Sequence, residues 1–127
     1  MEALGGYLMI AERLIAGDVA FADAWNFGPA DADTQPVGWI VDRMAQAWRV
    51  PAAYQDWSGP VPHEAGLLKL DTAKARAALG WRPVMGLAQA IDSIVAWHKA
   101  VGGGADARAV TIGQIRDYLS ALPKVSA

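Results

Sequence analysis

His63 and Glu64 stand side by side, just after the turn-rich run Ser58-Gly59-Pro60-Val61-Pro62. An imidazole can donate to an anionic oxygen, and a carboxylate can act as acid or base. Two prolines stiffen the approach, so a side chain there has little freedom to lose when it grips a ligand. Asn26 is the other candidate, the one polar side chain in the apolar run Ala24–Phe27. On residue types alone both have plainer readings: a loop histidine of no special role, and an amide that satisfies nearby backbone. Other chemistries fail on spacing. His63-Glu64-Ala65-Gly66-Leu67 lacks the second histidine of a zinc peptidase helix, and His98, beside Trp97, reads as a surface residue. There is no cysteine and no nucleophile elbow, so neither a thiolate metal site nor a serine triad is expected. The gap between Pro62 and Trp81 therefore needs elements that can hold His63 and Glu64 in place.

Those elements follow from periodicity. Leu4, Tyr7, Leu8, Ala11, Leu14 and Ile15 recur at helical spacing, ended by Gly17, with Gly5-Gly6 inside the pattern. Each glycine costs about 1 kcal/mol relative to alanine in a helix, which is tolerable where another backbone comes close. Ala24–Phe27, Ala53–Trp57 and Leu67–Leu70 read as short strands, the first stopped by Gly28-Pro29 and the acidic loop Asp31–Asp33. Thr34-Gln35-Pro36 starts a helix whose stripe Val37, Ile40, Val41, Met44 and Trp48 reads as core, with Pro51 ending it. Asp71 or Thr72 caps the next helix and Gly80 closes it. Leu87, Ala90, Ile91, Ile94, Trp97 and Val101 mark a fourth helix, and Gly102-Gly103-Gly104-Ala105-Asp106 a flexible link. Thr111-x-x-Gln114 reads as a capping box opening a last helix with Ile112, Ile115, Leu119 and Leu122 on its apolar face.

At 127 residues the chain is expected to be one domain, residues 1–127. A hydrophobic share of 54% with six tryptophans implies either a well-filled core or a face that packs against a partner. A net charge of −2 without a basic run argues against nucleic acid, and no apolar run reaches the roughly 20 residues of a membrane span. A cytoplasmic protein is the expectation.

The run Pro62–Trp81, PHEAGLLKLDTAKARAALGW, resembles the C-terminal substrate-binding region of extended short-chain dehydrogenase/reductases. These are the NAD-dependent sugar-nucleotide epimerases and dehydratases, whose similar run ends in a D-x-S/T-K-A helix and L-G-W-x-P. The likeness runs from Glu2-Ala3-Leu4-Gly5-Gly6-Tyr7-Leu8 through Trp25-Asn26-Phe27-Gly28-Pro29 to Trp97, and within the family it points to the 4,6-dehydratases. It implies an α/β fold: a small, mostly helical substrate-binding domain with a few short strands and no Rossmann domain. It also implies substrate-binding roles for Asn26, His63 and Glu64, with His63 near the nucleotide diphosphate and Asn26 near the nucleotide. Both would border one cleft. Many relatives carry an arginine shortly before that histidine, and Trp57–Pro62 has none. Either that arginine comes from elsewhere, or diphosphate binding is weak.

Hydride transfer in this family needs a glycine-rich turn from strand to helix and a Tyr-x-x-x-Lys pair. Gly102–Gly104 follows a helix and Gly5-Gly6 lies inside one, while Tyr7, Tyr54 and Tyr118 are followed four residues on by Ala11, Ser58 and Leu122. The chain therefore reads as the second half of a longer enzyme, from a truncated chain or a misassigned reading frame. No catalytic, cofactor-binding or metal-binding residue is expected in it. NAD would be held by a missing N-terminal domain. The partners implied are a nucleotide-sugar and that domain, with a homodimer formed through apolar surface left uncovered on the first helix. An epimerase fragment and a stand-alone, non-catalytic binding or interaction domain are the alternatives.

Overall fold

The computed structural model describes residues 1–54, 59 and 69–123. Among these, the regular elements are helices: α1 (Glu2–Ile15), α2 (Val37–Trp48), α3 (Ala73–Leu79), α4 (Leu87–Gly102) and α5 (Ala107–Ala121), with single 3-10 turns at Val19–Phe21 and Asp31–Asp33. The expected strands do not form in the described residues. Ala24–Phe27 is irregular, as are Ala53–Tyr54 and Lys69–Leu70, and the remainder of the two later strands lies outside the described residues. Trp25 and Phe27 do turn inward while Asn26 stays exposed, so the alternation is real. A strand also needs a neighbour to take its backbone N–H and C=O groups, and alternation alone supplies none.

Two packing centres hold the helices. In the first, Ala75, Leu79 and Trp81 are buried against Met9, Ile10, Phe21, Trp25 and Phe27, which joins α1 to α3. In the second, Ile91 and Val95 of α4 and Tyr118 of α5 are buried.

The side of α1 that packs is not its apolar stripe. Leu8 is 69% exposed and Ile15 87% exposed, and Leu4, Tyr7 and Leu14 also face out. Gly6 is the buried residue of this helix, and a Cβ there would lie 2.2 Å from Phe27 Cε1. A Cβ on Gly5 would meet the Tyr118 hydroxyl at 3.1 Å. The glycine pair therefore admits aromatic rings, where a close backbone was expected. A ring that lies flat on a helix needs the absence of a side chain, which the glycines provide.

The stripe of α2 is likewise not core, since no residue of the helix is buried and Val37 is 76% exposed. The helix ends at Arg49 in the left-handed conformation (φ 62°), two residues before Pro51. Its links to α4 are largely polar. Arg43 pairs with Asp92, and Lys99 donates to the Ala47 carbonyl (2.7 Å) with its ammonium 5.5 Å from the centre of the Trp48 ring. The α3 signals hold: Asp71 accepts the Ala73 N–H (2.8 Å), and Gly80 closes the helix at φ 66°.

The last helix begins at Asp106, whose carboxylate accepts the Ala109 N–H (2.7 Å). Thr111 and Gln114 are therefore interior and do not form a capping box. They serve the contact with α4 instead. Thr111 Oγ1 accepts from Trp97 Nε1 (2.9 Å), and Gln114 Nε2 donates to the Ser93 carbonyl (2.7 Å). An aspartate directly after the glycine turn reaches the free N–H groups first. Ile115, Leu119 and Leu122, expected on a packed face, are exposed, and Tyr118 is the residue that α5 buries.

Candidate functional site

Asn26 lies on the irregular segment between the two 3-10 turns, and that segment is tied down on both sides of it. Before Asn26, the Lys74 ammonium of α3 pairs with the Asp23 carboxylate and donates to the Ala24 carbonyl (3.0 Å). The same ammonium sits 4.5 Å from the centre of the Trp25 ring. Trp25 stacks on Phe21 (centroids 5.4 Å apart) and donates from Nε1 to the Phe21 carbonyl (3.1 Å). After Asn26, Phe27 meets Trp81 edge to face (5.0 Å) over the Gly6 gap. A Cβ on Gly28 would be 3.3 Å from Leu70 Cβ and 3.5 Å from Thr72 Cγ2, so a side chain there would press on the lead-in to α3. Asp31 pairs with Lys69, and Asp33 accepts the Leu87 N–H (3.0 Å) at the start of α4. Both aspartates belong to the acidic loop that the sequence marked only as a stop.

The Asp23 carboxyl is held below its ordinary range first by the Lys74 hydrogen bond, then by the Ala24 N–H, then by the Lys74 charge. Lys69 holds the Asp31 carboxyl down too, by hydrogen bond and then by charge. Both lysines are half-exposed, yet each is engaged by a carboxylate.

Of the expected substrate-binding residues, Asn26 is exposed on this segment, while His63 and Glu64 lie outside the described residues. Lys69 and Leu70, the first described residues after the His63 stretch, reach the Asn26 segment at Asp31 and Gly28. Glu2 is the residue that the sequence did not single out. Its backbone carbonyl accepts from Trp81 Nε1 (3.2 Å), and its carboxylate accepts the N–H groups of Val84 (3.1 Å) and Met85 (2.7 Å). The Tyr118 hydroxyl donates to the same carboxylate (3.2 Å). One residue thus joins the two packing centres. Burial, then the Glu2 charge and hydrogen bond, push the Tyr118 hydroxyl up to about 12.

Two of the better-formed concavities among the described residues lie away from Asn26. A groove of about 130 Å³ between α4 and α5, lined in part by Ser93, Gln114 and Tyr118, is smaller than the roughly 300–1,000 Å³ of ordinary ligand pockets. An open trough lined by Trp39, Asp42, Arg43, Gln46 and Ala88 lies on the α2 side. Gly102 and Gly103 close the C-terminal end of α4. That pole carries carbonyl oxygens and is the wrong one for a pyrophosphate. Among the described residues, no group of three or more histidine, aspartate or glutamate side chains is placed to hold a metal ion. No helix of the described residues is long and apolar enough to cross a membrane.

With the Asn26 segment tied to Lys74 of α3, between Asp71 and Gly80-Trp81, the two stretches that carried the family likeness are neighbours in space. The chain is similar to CDP-glucose 4,6-dehydratase. It is 42% identical over 121 residues to the CDP-glucose 4,6-dehydratase of Salmonella typhimurium. The match covers 95% of this chain and 34% of that dehydratase, so the chain spans about a third of the relative's length. The runs His63-Glu64-Ala65 and Leu68-Lys69-Leu70-Asp71 are similar to this dehydratase as well. No protein-family model matches the chain.

Proposed function

We propose that this chain is the nucleotide-sugar-binding part of an NAD-dependent sugar-nucleotide 4,6-dehydratase acting on CDP-glucose. The observation that carries the reading is the 42% identity to CDP-glucose 4,6-dehydratase along 95% of the chain. The held segment around Asn26 supports it, because an exposed amide on a fixed backbone is ready to recognise a ligand without first being ordered.

In this reading a segment outside this chain holds NAD and the catalytic residues. When bound there, NAD would supply the reversible hydride acceptance that a 4,6-dehydration needs. The residues of this chain bind and orient: His63 donates to an anionic diphosphate oxygen, Glu64 accepts from the substrate, and Asn26 meets the nucleotide. The outward stripe of α1 is the surface that the NAD-binding segment covers. In the isolated chain, a second copy covers it instead across a two-fold axis.

Titration of CDP-glucose into the isolated chain tests the binding role. Binding should be detectable and weakened by His63→Ala and by Asn26→Ala, with no NADH absorbance on incubation with NAD and CDP-glucose. In an enzyme rejoined to an NAD-binding segment, His63→Ala should raise KM and Kd more than it lowers kcat. Unchanged KM and Kd would reject the role of His63, and NADH formation by the isolated chain would reject the division of labour.

A further inference from the structure

We propose that Lys74 is a positioning residue for Asn26, a clamp that fixes the recognition segment to α3. The inference rests on the reading above, in which Asn26 meets the nucleotide. Its ammonium engages three consecutive residues immediately before Asn26: the Asp23 carboxylate, the Ala24 carbonyl at 3.0 Å and the Trp25 ring at 4.5 Å. A solvated surface lysine has no reason to meet a charge, a backbone oxygen and a ring in sequence. An exposed ion pair by itself is weak and is screened by salt. Three partners on one ammonium, however, fix where the backbone enters Asn26.

The base of the clamp is rigid. Ala75 follows Lys74 directly in α3 and is completely buried, and Leu79 closes the same helix against the core. On the far side of Asn26, a Cβ built on Gly28 would come 3.3 Å from Leu70 Cβ and 3.5 Å from Thr72 Cγ2, in the residues leading into α3. The segment therefore lies against α3 and its lead-in on both sides of Asn26, which is exposed. The lysine of the D-x-x-K-A pattern thereby acquires a job that its helix does not require. It sets the aim of a side chain on a different part of the sequence.

The test compares wild type, Lys74→Met, Lys74→Arg, Asn26→Ala and the double variant Asn26→Ala/Lys74→Met, all in the full chain. CDP-glucose affinity is measured by calorimetry and backbone order by amide relaxation. Lys74→Met keeps the aliphatic stem, and it should weaken binding by about fivefold, the scale of losing exposed charge and ring contacts. Lys74→Arg should recover part of that loss. Residues 24–28 should gain mobility in Lys74→Met while α4 and α5 stay unchanged. In the Asn26→Ala background, Lys74→Met should cost nothing further. An equal loss in both backgrounds, or unchanged order at 24–28, would overturn the clamp. If Asn26→Ala binds as well as wild type, it is the nucleotide role of Asn26 that fails, and the relaxation data alone decide whether Lys74 holds the segment.

Discussion

The outward stripe of α1 and the segment around Asn26 are both exposed, and they are exposed in opposite ways. On α1, Leu4, Tyr7, Leu8, Leu14 and Ile15 present only apolar side chains on a stiff helix. Around Asn26 the side chains on either side are drawn inward or paired, and a single amide is left in water. Apolar burial is non-directional and worth about 25 cal/mol per Å², so such a stripe suits a broad partner surface. A polar side chain gains little in water unless its geometry is fixed beforehand, so the segment suits a small ligand. The two exposed regions thus differ in what they leave to water, apolar carbon on α1 and an amide at Asn26.

The comparison can be broken most forcefully at the inner face of α1. Gly6→Leu should cost at least about 2–3 kcal/mol, because the new side chain must displace the Phe27 ring that packs on Trp81. Leu8→Ala, on the outer face, should change monomer stability by less than about 0.5 kcal/mol. Urea denaturation of the two variants checks the contrast, and similar losses would mean that α1 packs the other way round.

Tyr118 offers a test with a definite sign. An unfolded tyrosine titrates near 10, and in the fold this hydroxyl is pushed up to about 12. Its contribution, on the order of 2 kcal/mol, is present below about pH 10 and is lost as the pH rises through about 12. Tyrosinate absorbance and denaturation followed together across that window should show this, and Tyr118→Phe should flatten the slope.

The smallest effect on folding should come from the stripe itself. Leu8→Glu with Ile15→Glu should leave monomer stability nearly unchanged while abolishing self-association in sedimentation experiments. A monomeric wild type at high concentration would remove the argument that the stripe seeks a cover.

Periodicity found α1, α2 and α4, and turn chemistry found the ends of α3, because those signals are local. Gly80 has to turn left-handed, and Asp71 has only Ala73 to reach. Apolar surface left uncovered on the first helix was expected, and Leu4, Leu8 and Ile15 are exposed. That the other side packs through Gly6 was not legible, because the ring of Phe27 needs Gly6 and pairing a hole with a plug is a long-range fact. The short strands failed for the same reason, since alternation at Trp25-Asn26-Phe27 shows sidedness and says nothing of a neighbouring strand. Asn26 could be picked out as the lone polar residue of its run. Lys74 and Glu2 could not, because a lysine on a helix and a glutamate in a first turn both have ordinary solvated roles.

Glu2 also bears on the order of folding. Its bonds reach residues 79 to 116 positions away along the chain, whereas α4 and α5 are joined by a short turn. Closing so long a loop costs chain entropy that only contacts already in place can offset. The α4–α5 pair is therefore expected to assemble early and the Glu2 bonds to form last, once Trp81, Val84, Met85 and Tyr118 have been brought together. During synthesis, the Glu2 carboxylate waits through 116 further positions before its tyrosine arrives.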